Sequence, residues 1–416
     1  MHIALWSPGW PLEKHQNGIV TFVHWMKLEL ERSGHRVSVF TGKVDASVID
    51  PDVHHVRRAW WEKTARRLAR RLFSTERDIF EWGAVIARHM LEVHRRDPID
   101  VIEMEESFGW AADVSRFTSI PVLVKLHGPA FLSLIDEELS TPFARERVER
   151  EGRALALATA IASPSSLTLK QTLERYQLAP RIQQHVVNPL TMDDRTPVWR
   201  LDACDPKTIL FVGRFDKRKG ADVVLRAFEL LLRERPGLRL VFVGPDSGLS
   251  QPDGTRVHFE AFRAAVFPEA LRGQVEFRGR MANRDIAALR IQAMVTVIAS
   301  RWENQGYTAL EAMFQGCPVV VSDAGGSPES VVDGDTGLLA RSEDAGHFAS
   351  RLRAMVDDPQ AAAAMGAAAR RHVIETHSAA KVASESLLLY ERLIAQVRSN
   401  VRHVGGDRPT TRARAS

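Results

Sequence analysis

Cysteine is nearly absent from this chain: Cys204 and Cys317 are the only two in 416 residues. That excludes a disulfide framework and fits a reducing cytoplasm. Cys317 precedes Pro318 at the start of an apolar run, as a buried structural thiol would. No run of about 18 apolar residues occurs, so the sequence offers no membrane-spanning helix. The opening MHIALWSPGW reads as a strand and lacks a signal-peptide pattern. No His/Cys cluster has zinc spacing, and no G-x4-G-K-S/T phosphate loop is present. Neither charge sign dominates: 56 Lys and Arg stand against 52 Asp and Glu, a net +4, so the placement of charge matters more than its sum. Two Asp-x-Asp triplets, Asp50–Asp52 and Asp333–Asp335, resemble ligands for Mg²⁺ or Mn²⁺. Their Pro, Asp-Gly and Thr-Gly neighbours mark them as turns instead.

What is present is an ordinary globular composition, 44% hydrophobic and 26% charged, with length for two or three domains. Apolar strand-like runs alternate with amphipathic stretches. IALWSP, VSVFTG, DVIEME, VLVKLHG, AIASPS and QHVVNP fall in the first half. TILFVGRF, LRLVFVG, VEFRG, VTVIAS, PVVVSD and TGLLA fall in the second. This pattern predicts an α/β protein with two Rossmann-like, doubly wound parallel sheets. The break falls in the Pro- and Asp-rich stretch 188–205. The expected division is 1–190, 191–376, a helix over 377–398 and a disordered basic tail over 399–416.

The richest segment is SRWENQGYTALEAMFQGCPVVVSDAGGSPESVVDGDTGLL, residues 300–339. Glu303 and Glu311 stand in a Glu-x7-Glu spacing around Gly306, between a buried strand and a helix. A helix that starts at the carboxyl end of a parallel strand offers free N–H groups and a positive dipole end to phosphate. Carboxylates on either side accept hydrogen bonds from hydroxyls. Hydroxyls at both ends and phosphate between them describe a nucleotide-sugar. In GRFDKRKGADVVLRAF, Arg214 and Lys219 lie at another strand end, with the fork and the point charge that a diphosphate needs. Lys217 and Arg218 read as a solvated helix entry.

GRFDKRKG, the strand ending GPD, VEFRGRM and ENQGYTALEAMFQGCPVVVSDAGGSPE together resemble the donor domain of glycosyltransferase family 4. PGWPLEKHQNGIVTFVHWMKLELERSGHRVSVFTG and KLHGP resemble its first domain, so the likeness runs to about residue 395. The resemblance implies a GT-B fold, two domains facing across a cleft with a C-terminal helix returning to the first. It implies a retaining, metal-independent hexosyltransferase, with the acceptor on residues 1–190 and the nucleotide-sugar on 191–376. It assigns Arg214 and Lys219 to the diphosphate, Glu303 to the transferred sugar and Glu311 to the ribose. Backbone at Gln305, Gly306, Tyr307 and Thr308 would meet phosphate and sugar, and Arg280 and Met281 would flank the base. His127 would face the sugar. The family often has paired glycines in its opening loop; here Asn17–Gly18 replaces them, and Gly18 can still approach phosphate. No protein nucleophile is assigned, because the leaving phosphate oxygen is thought to take the acceptor proton. The expected donor is a UDP-sugar, with GDP-sugars next, and no cofactor.

The acceptor side is less defined: a glycan, lipid-linked or small molecule, as in bacterial-type polysaccharide or glycoconjugate synthesis. Glu105 and Glu106, at a strand end, are candidates to bind its hydroxyls. Residues 54–73 carry seven Lys and Arg against one Glu, with Trp60, Trp61 and Phe73. They read as a basic amphipathic helix suited to an anionic membrane surface. The chain is therefore expected in the cytoplasm, with peripheral contact to the inner membrane face. No recognised nucleic-acid module accompanies the patch. The alternatives are a sugar-nucleotide epimerase or phosphorylase of the same fold, and a non-catalytic scaffold; the set His127, Arg214, Lys219, Glu303 and Glu311 speaks against both.

Overall fold

The computed structural model describes residues 1–15, 17–59, 79, 81–191, 196–251 and 253–405. The first sheet is built from β1 (His2–Ser7), β2 (Arg36–Thr41), β3 (Val53–His55), β4 (Val101–Glu105), β5 (Val122–Lys125), β6 (Ala160–Ser163) and β7 (Gln183–His185). Its order is β3-β2-β1-β4-β5-β6-β7. Next come β8 (Asp205–Val212), β9 (Arg239–Val243), a small antiparallel ribbon of β10 (Leu249–Ser250) and β11 (Arg256–Val257), then β12 (Val275–Phe277), β13 (Ala293–Ile298), β14 (Val319–Ser322) and β15 (Leu338–Ala340). The second sheet runs β12-β9-β8-β13-β14-β15. Every pairing in the two large sheets is parallel. In each sheet the order reverses beside the first strand, between β1 and β4 and between β8 and β13. Crevices at the carboxyl ends of such strands are where α/β folds bind ligands.

Burial follows from the runs themselves. β1, β4, β5, β6, β13 and β14 are buried along their whole length, as sheets covered on both faces require. One large apolar cluster fills the second domain, including Phe211, Phe228, Phe242, Leu310 and Phe348. The first domain has a cluster on each face of its sheet. One of these is completed by Val382, Leu389, Tyr390 and Leu393 of the helix Ala379–Gly405. The C-terminal helix therefore returns to the first domain, and the buried Tyr390 hydroxyl donates to Glu103.

Two expectations change, and one lies partly outside the described residues. His54 and His55 lie in strand β3 rather than in a helix, with the His54 ring 4.8 Å from Phe40. Residues 60–73 of the basic stretch lie outside the described residues. The final helix does not stop near 398 but continues to Gly405, because no glycine or proline interrupts it before that point. The rest of the expected tail, 406–416, is outside the described residues. The short elements β3, β10 and β11 carry no apolar run and are new. The Asp-x-Asp triplets are turns: Asp50 accepts from the Asp52 N–H at 2.9 Å, and Asp333 from the Leu339 N–H at 2.8 Å. Among the described residues no helix is long and apolar enough to cross a membrane.

Candidate active site

The loop after β8 is shaped by Gly220, whose φ of 67° is a left-handed conformation that favours glycine. A Cβ there would lie 1.9 Å from the Ala299 carbonyl oxygen at the end of β13. This close approach joins the start of the helix Ala221–Glu234 to the end of β13. It places Lys219 against Glu303, and the two form an ion pair. Asp216 organises the loop, accepting from Arg214 Nε at 2.6 Å and from the Lys219 N–H at 2.8 Å. Arg301 rivets the two loops together, holding Asp222 through both Nη atoms at 2.9 and 2.8 Å.

Glu303 also accepts from Ser300 Oγ at 2.8 Å. Burial alone would raise its carboxyl, but the Lys219 ammonium and the hydrogen bonds outweigh it, and the carboxyl lies below the usual range. The helix Tyr307–Phe314 begins just beyond, with Gly306 at its cap. Its first N–H groups have no partner within the helix. Residues 305–308 thus present backbone donors to the same space as Lys219.

From the first domain, Asn17 caps the helix Gly18–Arg32 by accepting from the Ile19 N–H at 2.8 Å. A Cβ on Gly18 would lie 3.6 Å from Tyr307 of the facing domain, so the opening loop approaches the start of the helix Tyr307–Phe314. His127 follows β5, edge-on to Phe22 with ring centroids 5.1 Å apart. Burial, with the neighbouring Lys125 ammonium, pushes the imidazole down to about 3. It is a neutral hydrogen-bonding group near pH 7.

Glu105 and Glu106 do not face the cleft as acceptor ligands. Both are buried, and Glu106 is 1% exposed. Its two oxygens accept from the His127 N–H at 2.8 Å and the Gly128 N–H at 2.6 Å. Glu105 accepts from the Ser107 N–H at 2.7 Å. Backbone amides, not solvent, use these carboxylates. Burial, with Glu105 and Glu151 as like-charged neighbours, pushes Glu106 up to about 8. Lys125 lies in the same interior, donates to the Val186 carbonyl at 2.8 Å, and is pushed down to about 8 by burial.

A cleft of about 490 Å³ lies between the domains. Gly18, His127, Arg214, Lys219, Glu303 and residues 305–308 all line it. Glu311, Arg280 and Met281 do not. Glu311 is one helical turn beyond Tyr307, and one of its oxygens accepts from the buried Arg290 at 2.5 Å. Arg280 is exposed beyond β12, and Met281 packs on the small cluster of Leu210, Val241 and Val243. Lys217 and Arg218 are not a plain solvated entry. Lys217 pairs across the cleft with Glu137, and Arg218 lines the cleft. The sequence reading missed Ser107, Arg147, Asn188 and Asn304, which also line it. Asn304, inside the WENQG run, and Ser107, next to Glu105 and Glu106, had a nearby sequence signal; Arg147 and Asn188 had none.

Two family models cover most of the chain: a glycosyl transferase 4-like domain matches residues 17–189, and a glycosyl transferases group 1 domain matches residues 201–372. A D-inositol 3-phosphate glycosyltransferase of Streptomyces avermitilis is 33% identical over 250 residues, covering 56% of this chain and 52% of that protein. The chain spans about half the length of that relative. Among solved structures, a sucrose-phosphate synthase from Thermosynechococcus elongatus superposes with TM-score 0.72 at 21% identity, over 95% of this chain and 99% of that one. Anabaena Alr3699/HepE in complex with UDP superposes with TM-score 0.65 at 14% identity, over 94% and 100%. These likenesses show the fold, two parallel-sheet α/β domains of GT-B type, and the family models span both of them. The chain belongs to glycosyltransferase family 4.

Proposed function

We propose that the chain transfers a sugar from a nucleoside-diphosphate sugar to an acceptor, retaining the anomeric configuration and using no metal. The observation that carries this reading is the Lys219–Glu303 pair at the start of the helix Tyr307–Phe314, facing His127 across the cleft. Departure of the nucleotide builds negative charge on the diphosphate. Arg214, Lys219 and the N–H groups of residues 306–308 are cationic or dipolar groups fixed where that charge develops. They supply the electrostatic stabilisation that a divalent ion supplies in other transferases. Arg214 is tied to Asp216 within its own loop, so its guanidinium is oriented before any ligand arrives.

Glu303, held by Lys219 and Ser300, is an acceptor for hydroxyls of the transferred sugar. His127, neutral, orients a sugar hydroxyl from the opposite wall. Glu311 lies one turn along the same helix and binds the ribose with the oxygen that Arg290 leaves, while main chain at Arg280 and Met281 flanks the base. Gly18 brings backbone close to phosphate. The acceptor enters from the first domain, past Ser107, Gly128 and Arg147. Its proton passes to the leaving phosphate oxygen, so no side chain acts as nucleophile. UDP is the expected nucleotide, as in HepE, which is also solved with UDP-glucose; GDP is next. A lipid-linked acceptor, with residues 54–73 against an anionic membrane, is part of the same reading.

The test is donor turnover in the presence of a chelator, followed by NMR of the first-formed product. Nucleoside-diphosphate release that survives chelation, with an α-linked product from an α-linked donor, is expected. An inverted product or loss of turnover on chelation contradicts the reading.

A further inference from the structure

The segment AGGSPE follows β14 and belongs to the second domain, yet its glutamate is bound by the first. Glu329 accepts from Ser165 Oγ at 2.6 Å, from the Ser166 N–H at 2.7 Å and from the Leu167 N–H at 3.0 Å. Ser165 is the cap of the helix Ser166–Tyr176, and its hydroxyl also accepts from the Thr168 N–H at 3.0 Å. A carboxylate from one domain therefore takes the free donors and the positive end of a helix in the other. Charge-assisted bonds at a helix start are among the stronger polar contacts a protein makes. The nearest cationic candidate is His185, whose Nε2 lies 3.9 Å away and also contacts the Pro164 carbonyl at 3.1 Å.

The same segment presses on the donor-side glutamate. The Gly326 N–H donates to the Glu303 carbonyl at 2.8 Å. A Cβ on Gly325 would lie 2.2 Å from that carbonyl oxygen, and one on Gly326 would lie 1.9 Å from the Asn304 carbonyl oxygen. No other residue type fits between Glu329 and the backbone of Glu303–Asn304. On the far side, Asn304 Nδ2 donates to the Leu126 carbonyl at 3.0 Å, next to His127. The Asn188 N–H donates to Gln305 Oε1 at 2.6 Å. Residues 303–305 thus lie between the Gly325–Gly326 segment and first-domain contacts, and Glu329 ties that segment to the first domain with a charged contact.

We propose that Glu329 is a positioning residue for Glu303. Its carboxylate on the start of the helix Ser166–Tyr176 holds the domains closed. The Gly325–Gly326 pair transmits that contact to the backbone of Glu303, so that Glu303 meets Lys219 and the sugar in one geometry. Separation of the domains breaks all three bonds to Glu329 together and releases the loop. The catalytic consequence rests on the transferase reading above; the closure itself does not.

The test compares wild type with Glu329→Ala, Glu329→Gln and Ser165→Ala. Small-angle scattering of the unliganded proteins gives the radius of gyration, and UDP-glucose turnover gives kcat and KM. A misplaced catalytic group costs up to about a hundredfold. Glu329→Ala is therefore expected to enlarge the radius and lower kcat about tenfold or more, with KM for UDP-glucose and the thermal shift with UDP kept. Glu329→Gln, which keeps an acceptor but not the charge, falls between. Ser165→Ala, which keeps both backbone donors, is milder than Glu329→Ala. An unchanged radius and kcat in Glu329→Ala overturns the proposal. So does a kcat loss matched by loss of UDP binding, which marks a damaged donor domain. If wild type turns over no donor, the transferase reading fails, and the scattering comparison alone decides the closure.

Discussion

At the residue scale, the first domain has buried titratable groups behind the cleft, and they make stability depend on pH. Glu106 is pushed up to about 8 from an ordinary 4.5. Folding therefore takes up a proton where the unfolded chain has none, and stability falls as pH rises through that interval. His127 runs the other way: pushed down to about 3 from 6.5, it costs stability as pH falls below 6.5. Above about 6.5 the His127 contribution is absent, and Glu106 acts up to about 8 in the same direction as the other raised carboxyls, Glu103, Glu105 and Glu151. Chemical denaturation across that window should show stability declining with rising pH. Glu105→Gln removes a like charge beside Glu106 and should flatten the decline; a flat wild-type profile contradicts this account. The burial of Glu105 and Glu106 was not legible in EMEESFG, since a run of acids at a strand end reads as solvent-facing. Glu106 serves the His127 and Gly128 amides, 21 and 22 residues away, while Glu105 serves the Ser107 amide.

At the element scale, two helix starts line the cleft from the second domain, and each depends on a glycine or a small loop rather than on propensity. Gly220 has both a left-handed backbone and a carbonyl 1.9 Å from where its Cβ would be. Gly237 is left-handed too, with φ 92°, but open space surrounds it. An alanine in left-handed backbone costs roughly 1–2 kcal/mol. Gly237→Ala should lose about that much and bind UDP normally. Gly220→Ala should lose more, because the helix must also retreat from β13, and it should weaken UDP binding through Lys219. Equal losses in the two variants, read by denaturant unfolding with and without UDP, contradict the claim that this contact sets the site. All six strands of the second sheet were legible, because runs such as TILFV and VTVIA are apolar, β-branched and short. Strand β3 was not, since Val53–His55 has no apolar run and pairs along β2 at the edge of the sheet.

At the scale of the whole molecule, the site belongs to neither domain. Arg214, Lys219 and Glu303 lie after β8 and β13, the histidine and the opening loop after β5 and β1, and the cleft exists because the two crevices face each other. Sequence motifs name residues within one strand-loop-helix unit, so Arg214, Lys219, Glu303 and the turn at 305–308 were readable. Contacts between domains were not: Lys217 with Glu137, Asn304 with Leu126 and Glu329 with Ser165 join residues 80, 178 and 164 apart. We propose that this shared cleft binds a nucleoside diphosphate through Arg214 and its neighbours. Arg214 is exposed and, among the described residues, paired in its own loop with Asp216, so Arg214→Ala should change stability by less than about 1 kcal/mol. The most direct measurement is thermal unfolding with UDP, GDP and ADP, for wild type and Arg214→Ala. Ligand at about 100 times its dissociation constant adds roughly 2.7 kcal/mol to wild type. Stabilisation by one nucleotide, UDP first, is expected, and it is lost in Arg214→Ala while the unliganded proteins melt alike. No stabilisation by any nucleotide, or stabilisation equal in Arg214→Ala, would contradict it.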